Sequence, residues 1–525
     1  MGAGAALACA LIAACSSATA ATSGSGVTSG TAARTTRAGL IVPTAGGVLQ
    51  GKTAGTTDEF LGVPYAAPPV GALRWRPPQP AAPWRGVRQA ASYAPHCAQP
   101  TSPFGVASTS EDCLYLNVFT PAGAHERNLP VMVWIHGGAL VVGESDDYNP
   151  AALVRHGVIV VTINYRLGLF GFLADSALAS RPGGPSGNYG LMDQQAALRW
   201  VQRNIHGFGG NARDVTVFGE SAGGLSTLSQ LVSPGARGLF ARAIVESGTY
   251  DPNQASLATA EAAGAAFAAK AGCASNTAAC LRSLPVSAVL GNESVAGYQP
   301  DVDGSVLPQS IGPALASGQF SRVPVMIGTN HDEWRLFVGL DQLIGGPPVT
   351  AANYQTQIAD TLGGLPASAA AAIAAQYPLS DYSSPSVALG AVGTDAIFAC
   401  HALTAEKSLA AYVPTYAYEF NDENAPELAL PPLGFPYGAA HASELQYLFM
   451  LSNTRYPGTL TAQQQDLAGA MQRDWTSLAK SGAPAPGWPR FSSPSPAWLS
   501  LVPPRPQTET NFAAEHHCAF WASTG

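Results

Sequence analysis

Residues 215–218 form a short apolar run that leads straight into Gly219-Glu220-Ser221-Ala222-Gly223, and residues 222–232 after it are helix-compatible. A strand that turns into a helix through Gly-x-Ser-x-Gly has little choice of geometry. The turn must be tight and strained, and it lifts the serine hydroxyl above the end of a sheet. Glycines two residues to either side leave room for close backbone packing. The N-terminus of the following helix favours negative charge beside the serine. Ser221 is therefore the expected nucleophile, and the chain should contain a mostly parallel sheet with helices on both faces.

The rest of the sequence agrees with that sheet. Pro130-Val131-Met132-Val133-Trp134-Ile135, residues 158–165, Ala243-Ile244-Val245 and Val323-Pro324-Val325-Met326-Ile327 are continuous apolar runs, as strands buried on both faces require. Helical stretches separate them, one containing Ala196-Ala197-Leu198-Arg199-Trp200-Val201. Residues 260–271 and 367–375 are alanine-rich and read as scaffold helices. Two Pro-rich stretches, residues 64–83 and 426–436, read as surface loops that shape a rim.

A serine hydroxyl needs a base to take its proton. In the strand-turn-serine-helix arrangement the partners follow in the order Ser, Asp or Glu, His. Gly328-Thr329-Asn330-His331-Asp332-Glu333 comes directly after an expected strand, where a carboxylate can orient an imidazole. Among ten histidines, His441 has the best setting, in the small-residue loop Gly438-Ala439-Ala440-His441-Ala442-Ser443. His136-Gly137-Gly138-Ala139, after the run ending at Ile135, matches a loop that supplies N–H donors to an oxyanion, together with Ala222. His136 itself reads as a structural loop histidine and not as the base.

Composition narrows the partners. The net charge is -8, only 11% of residues are charged, and there is no basic run. Nucleic acid and anionic membrane surfaces are thereby disfavoured. The first twenty residues form a leader with a short apolar segment. It is either a signal peptide cleaved after Ala20 or a lipoprotein leader in which Cys15 becomes the acylated first residue. Residues 21–38 are a Ser/Thr/Ala/Gly linker, and 39–525 form one catalytic domain. No later stretch reaches about 18 uninterrupted apolar residues. Of eight cysteines, six lie in the body, which in an exported chain reads as three disulfides with fifteen pairings open. No CxxC pair suggests a metal, and the chemistry needs no cofactor.

These residues and their flanks resemble the type-B carboxylesterases, the α/β-hydrolases that include the cholinesterases. The markers include Phe60-Leu61-Gly62-Val63-Pro64-Tyr65-Ala66, Glu111-Asp112-Cys113-Leu114-Tyr115-Leu116-Asn117 and Gly187-Asn188-Tyr189-Gly190-Leu191-Met192-Asp193-Gln194. The resemblance implies an α/β-hydrolase fold, a triad of Ser221, Glu333 and His441, and an oxyanion hole of Gly138, Ala139 and Ala222. It supports the disulfides Cys97–Cys113, Cys273–Cys280 and Cys400–Cys518, and structural ion pairs of Arg74 with Glu111 and Arg166 with Asp193. Ala139 replaces the loop's third glycine. Trp334 stands where a glycine usually follows the glutamate, as a pocket wall or as a packed ring. Leu140, Phe104 and Trp334 are the expected pocket residues.

The loop between Cys97 and Cys113 has no tryptophan, which argues against quaternary ammonium binding by cation–π attraction. The expected activity is serine hydrolysis of neutral carboxylic esters through an acyl-enzyme, failing below about pH 6 when a histidine base protonates. A specialised lipase, polyester, phthalate-ester or toxin esterase would use the same machinery. A non-catalytic cholinesterase-like binding protein is the remote alternative. Location outside the cytoplasm is expected, secreted, periplasmic or lipid-anchored, with oligomeric state open.

Overall fold

The computed structural model describes residues 40–524 except 125, 126, 180, 182, 274, 276, 294–297 and 457. The leader and linker, with Cys15, lie outside the described residues. Eleven strands form the main sheet: β1 Lys52–Ala54, β2 Thr57–Pro64, β3 Tyr115–Pro121, β4 Leu129–Ile135, β5 Ile159–Ile163, β6 Gly210–Glu220, β7 Arg242–Glu246, β8 Val325–Asn330, β9 Thr415–Phe420, β10 Trp498–Leu501 and β11 Gln507–Glu509. Their order across the sheet is 11-10-9-8-7-6-4-5-3-2-1. Strands 10 through 5 in that order are mutually parallel, and antiparallel strands finish both edges. This is an α/β-hydrolase sheet.

The apolar runs are strands because each face of the sheet has its own helical cover. Side chains alternate between the two faces of a strand. Val131, Val133, Ile135, Val215, Val217, Val245 and Ile327 face one core, shared with Leu198 of helix α1 (Tyr189–Asn204) and with Leu225 and Leu228 of α2 (Ala222–Val232). Met132, Trp134, Phe218, Ile244, Met326 and Tyr418 face the other, against Leu467, Met471, Trp475 and Leu478 of the 20-residue helix Ala462–Ser481. Each such buried side chain contributes about 1.5–3 kcal/mol by leaving water. Thr461 caps that last helix reciprocally with Gln464, and Gly482 ends it in a left-handed conformation.

One strand starts later than its apolar pattern suggests. The run begins at Val323, but β8 begins at Val325, because Pro324 has no N–H to give a ladder. The Pro324 carbonyl still accepts from Ala243 N–H at 3.1 Å. The strand then continues through Gly328-Thr329-Asn330, paired with Tyr418-Glu419-Phe420, so the link to Glu333 is only a short turn.

Disulfides join Cys97 to Cys113, Cys273 to Cys280 and Cys400 to Cys518. They fit an oxidising, extracellular or luminal environment. Arg74 grips Glu111 through two N–H···O bonds of 2.6 and 2.5 Å, and Arg166 grips Asp193 at 2.7 and 2.8 Å. Among the described residues, the helical run Pro385–Ala410 is long and apolar enough to cross a membrane. It is 72% buried within the protein over its most apolar window, which is how a core helix behaves.

Candidate active site

Ser221 is the single residue between β6 and α2, with φ 56° and ψ -121°, a conformation that costs a non-glycine residue energy and needs support from its surroundings. Its own N–H donates to the Glu246 carbonyl at the end of β7, 2.8 Å away. The flanking glycines answer a steric demand. A Cβ on Gly219 would sit 2.4 Å from the Ile135 carbonyl oxygen, and one on Gly223 would sit 1.9 Å from the same atom. The turn therefore packs its backbone directly onto the end of β4.

That end of β4 carries the next component. Gly138, Ala139 and Leu140 all take positive φ, at 96°, 56° and 64°, so the chain curls back beneath the serine turn. The Gly138 carbonyl accepts from Val141 and Val142 N–H groups, both at 3.0 Å. A Cβ at Gly138 would lie 2.1 Å from the Val142 carbonyl oxygen, so glycine is required there. Gly138, Ala139 and Ser221 line one cavity. His136 is buried beneath the loop, stacked on Tyr165 at 4.5 Å, and burial lowers its pKa to about 4. A neutral, enclosed ring of this kind is a structural support for the loop.

Glu333 lies in the turn after β8 and is fully buried. One carboxylate oxygen accepts from the Thr329 hydroxyl at 2.6 Å and the Asn330 N–H at 2.8 Å. The other faces Nδ1 of His441 at 2.5 Å. Asn330 also reaches across to the His441 loop, donating to the Ala440 carbonyl at 2.8 Å. Phe337 and Phe398 sit on the imidazole, each with its ring centre 5.1 Å away. Packing and the carboxylate together fix the ring, and His441 lines the same cavity as Ser221.

Glu220 is the residue that the sequence reading overlooked. Its Oε1 lies 3.1 Å from Nε2 of His441, so the imidazole stands between two carboxylates. Burial pulls the imidazole's pKa down. Glu220 and then Glu333 outweigh it and bring the pKa up to about 9. Burial in turn drives Glu220 well above the usual carboxylate range, with His441 opposing. Its position next to the serine was visible in the sequence, but its facing the base was not.

The rest of the cavity is mainly apolar. Leu336, Phe337 and Leu340 form one wall, on one face of helix α3 (Trp334–Leu343). Their spacing from Glu333 is helical, a signal the sequence did contain. Residues 426–429 of the second Pro-rich loop form part of the rim, whereas residues 64–83 stand away from it. Phe104 lines the cavity. Leu140 and Trp334 stand outside its lining. Leu140 is fully buried in the core, and its carbonyl accepts from Gly168 N–H at 2.6 Å. Trp334 is a packed ring, not a wall. It contacts Phe337 at 4.6 Å and lies so close over Gly393 that a Cβ there would meet the indole at 2.1 Å.

A sequence profile of the carboxylesterase family matches residues 38–521. The chain belongs to the carboxylesterase family. Among its relatives are acylcarnitine hydrolase of Mus musculus, 37% identical over 82% of this chain and 81% of the relative. Fumonisin B1 esterase of Sphingopyxis macrogoltabida is 36% identical over 88% and 86%. Para-nitrobenzyl esterase of Bacillus subtilis is 35% identical over 86% and 92%. This carboxylesterase is thus a carboxylic-ester hydrolase on an α/β-hydrolase sheet, and its substrates are small-molecule esters.

Proposed function

We propose that Ser221, His441 and Glu333 form the catalytic triad and that Gly138, Ala139 and Ala222 supply the oxyanion N–H donors. The observation that carries this reading is the 2.5 Å contact of His441 Nδ1 with a buried Glu333, on a ring that shares its cavity with Ser221. His441 takes the Ser221 proton as the oxygen attacks the ester carbonyl, and Glu333 stabilises the imidazolium. The imidazolium then gives that proton to the leaving alcohol. Water, deprotonated by the same ring, attacks the acyl-serine and releases the acid. The donors at 138, 139 and 222 bind the oxygen in both tetrahedral states, and each such donor is worth about 2.7–4 kcal/mol.

The substrate we infer is a neutral ester with an apolar acyl or alcohol part held against Leu336, Phe337, Leu340 and Phe104. The disulfide loop that carries Phe104 has no tryptophan to hold a quaternary ammonium. Residues 39–525 act as one catalytic unit, a reading supported by β1 and β11 lying in one sheet. The enzyme works outside the cytoplasm, and the mature N-terminus, by mass spectrometry, separates Cys15 acylation from cleavage after Ala20.

The test is hydrolysis of p-nitrophenyl acetate, butyrate and palmitate by wild type and Ser221→Ala. Loss of at least about 10⁴-fold in kcat is expected for the variant, with the fold intact by circular dichroism. Full activity in Ser221→Ala would overturn the assignment. Preference for palmitate at a lipid interface would indicate a lipase, and wild-type inactivity throughout would revive the binding-protein alternative.

A further inference from the structure

On the far side of the loop that carries Glu333, a second constellation of histidines and carboxylates is assembled from three distant parts of the chain. His331 follows β8, Glu419 belongs to β9, and His516 follows the short helix Phe512–Glu515. One nitrogen or oxygen from each of these three lies within 4.8 Å of the others. Nε2 of His516 faces Oε1 of Glu419 at 2.5 Å, and Nε2 of His331 faces Oε1 of Glu515 at 3.2 Å. Each ring's other nitrogen has a carboxylate of its own: Asp395 at 2.6 Å from Nδ1 of His516, and Asp332 at 3.0 Å from Nδ1 of His331.

A carboxylate behind each ring is how proteins fix imidazoles that bind a metal through the opposite nitrogen. Three donors converge from His331, Glu419 and His516, and Glu515 adjoins the His331 nitrogen, so two imidazoles and two carboxylates match the donor number and type of a tetrahedral zinc centre. Two Glu ligands would neutralise the ion's charge. We infer that His331, Glu419, His516 and Glu515 form a binding site for a zinc-like divalent ion, separate from the ester-hydrolysing residues.

Binding places the ion between the paired Nε2 and Oε1 atoms. With bonds of about 2.0–2.2 Å, the buried pair must open from its 2.5 Å contact to about 3 Å or more. Glu419 and His516 are buried, whereas the His331 and Glu515 side chains are 25% and 41% exposed, so the ion reaches the site from their side. Hard, oxygen-seeking ions such as Ca²⁺ and Mg²⁺ are poor matches for two imidazoles. Once bound, the ion ties the C-terminal segment and β9 to the turn two residues before Glu333.

The experiment uses tag-free protein stripped with chelator, dialysed against ZnCl₂, passed over a desalting column and analysed for metal, with thermal unfolding measured in parallel. Wild type is expected to keep one zinc per chain and to unfold at higher temperature with zinc than without. Glu515→Gln and His331→Ala should each weaken zinc binding at least about tenfold. Glu515→Gln alters an exposed side chain and is the safer variant for folding. Ser221→Ala should bind zinc as wild type does. Failure of wild type to retain zinc, or retention unchanged in both ligand variants, would overturn the inference.

Discussion

Replacing Glu220 with glutamine separates the charge that faces His441 from the shape of the site. The imidazole has Glu333 at Nδ1 and Glu220 at Nε2, 2.5 and 3.1 Å away. Although burial opposes protonation, these carboxylates raise the ring to about 9. Compared with an ordinary histidine near 6.5, the imidazolium is favoured here. A histidine base works only when neutral, so activity must rise with pH through this value. The acid limb of kcat/KM in wild type should therefore lie well above pH 6.5, higher than the limit near pH 6 expected of an unperturbed ring. One opposite charge at this range moves a pKa by about 1–3 units. Burial raises Glu220 and His441 opposes that rise; Glu220→Gln keeps the side chain's length, removes the titratable group and leaves burial in place, so with Glu220 ionised opposite the ring the limb should fall by at least about 1 unit. The assay is kcat/KM for p-nitrophenyl butyrate from about pH 5 to about pH 10 at constant ionic strength, with folding checked at each end. A wild-type limb at or below 6.5 that Glu220→Gln leaves in place would refute the reasoning, since it would mean that Glu220 is uncharged where the base titrates.

Three further expectations follow from the packing. Gly223→Ala would force a methyl to 1.9 Å from the Ile135 carbonyl, so it should destabilise by about 3 kcal/mol or fail to give soluble protein; chemical unfolding checks this. The Cys400–Cys518 bond spans 118 residues, and its removal by paired Ser substitutions should cost about 4–5 kcal/mol on the chain-entropy account; unfolding free energies within about 1 kcal/mol of wild type would contradict that. Ala139→Gly removes a methyl from the cavity lining, and it should raise kcat/KM for a tert-butyl ester over an ethyl ester by about tenfold.

The five adjacent strands β8, β7, β6, β4 and β5 and the serine turn were readable because their signals are local, whereas the six flanking strands were not read. Apolar runs mark strands buried on both faces, and Gly219 and Gly223 mark a backbone packed too tightly for any Cβ. The start of β8 was misplaced by two residues because hydrophobicity does not report Pro324's missing donor. Trp334 was ambiguous for a different reason: whether an indole lines a cavity or packs on Gly393 depends on a residue 59 positions away. The same holds for His331 and His516, whose common neighbourhood arises only when β8, β9 and the C-terminal segment come together. Glu220 shows the intermediate case, adjacent to Ser221 in sequence but paired with His441 through the fold.

The helix Trp334–Leu343 starts immediately after Glu333 and carries Leu336, Phe337 and Leu340 into the substrate cavity. The carboxylate and one wall of the cavity are thus parts of a single rigid lever. A side-chain change at Phe337 alters the space for substrate and also the packing on His441, so selectivity and turnover are coupled there. The rim at residues 426–429 belongs to a separate loop, which meets the helix from outside: Ala429 packs against the cluster that Leu336 and Leu340 form with Leu430 and Ala440. Side-chain variation at 426–429 therefore reaches the substrate without altering the segment that carries Glu333, and laboratory evolution of specificity should find its least costly changes there.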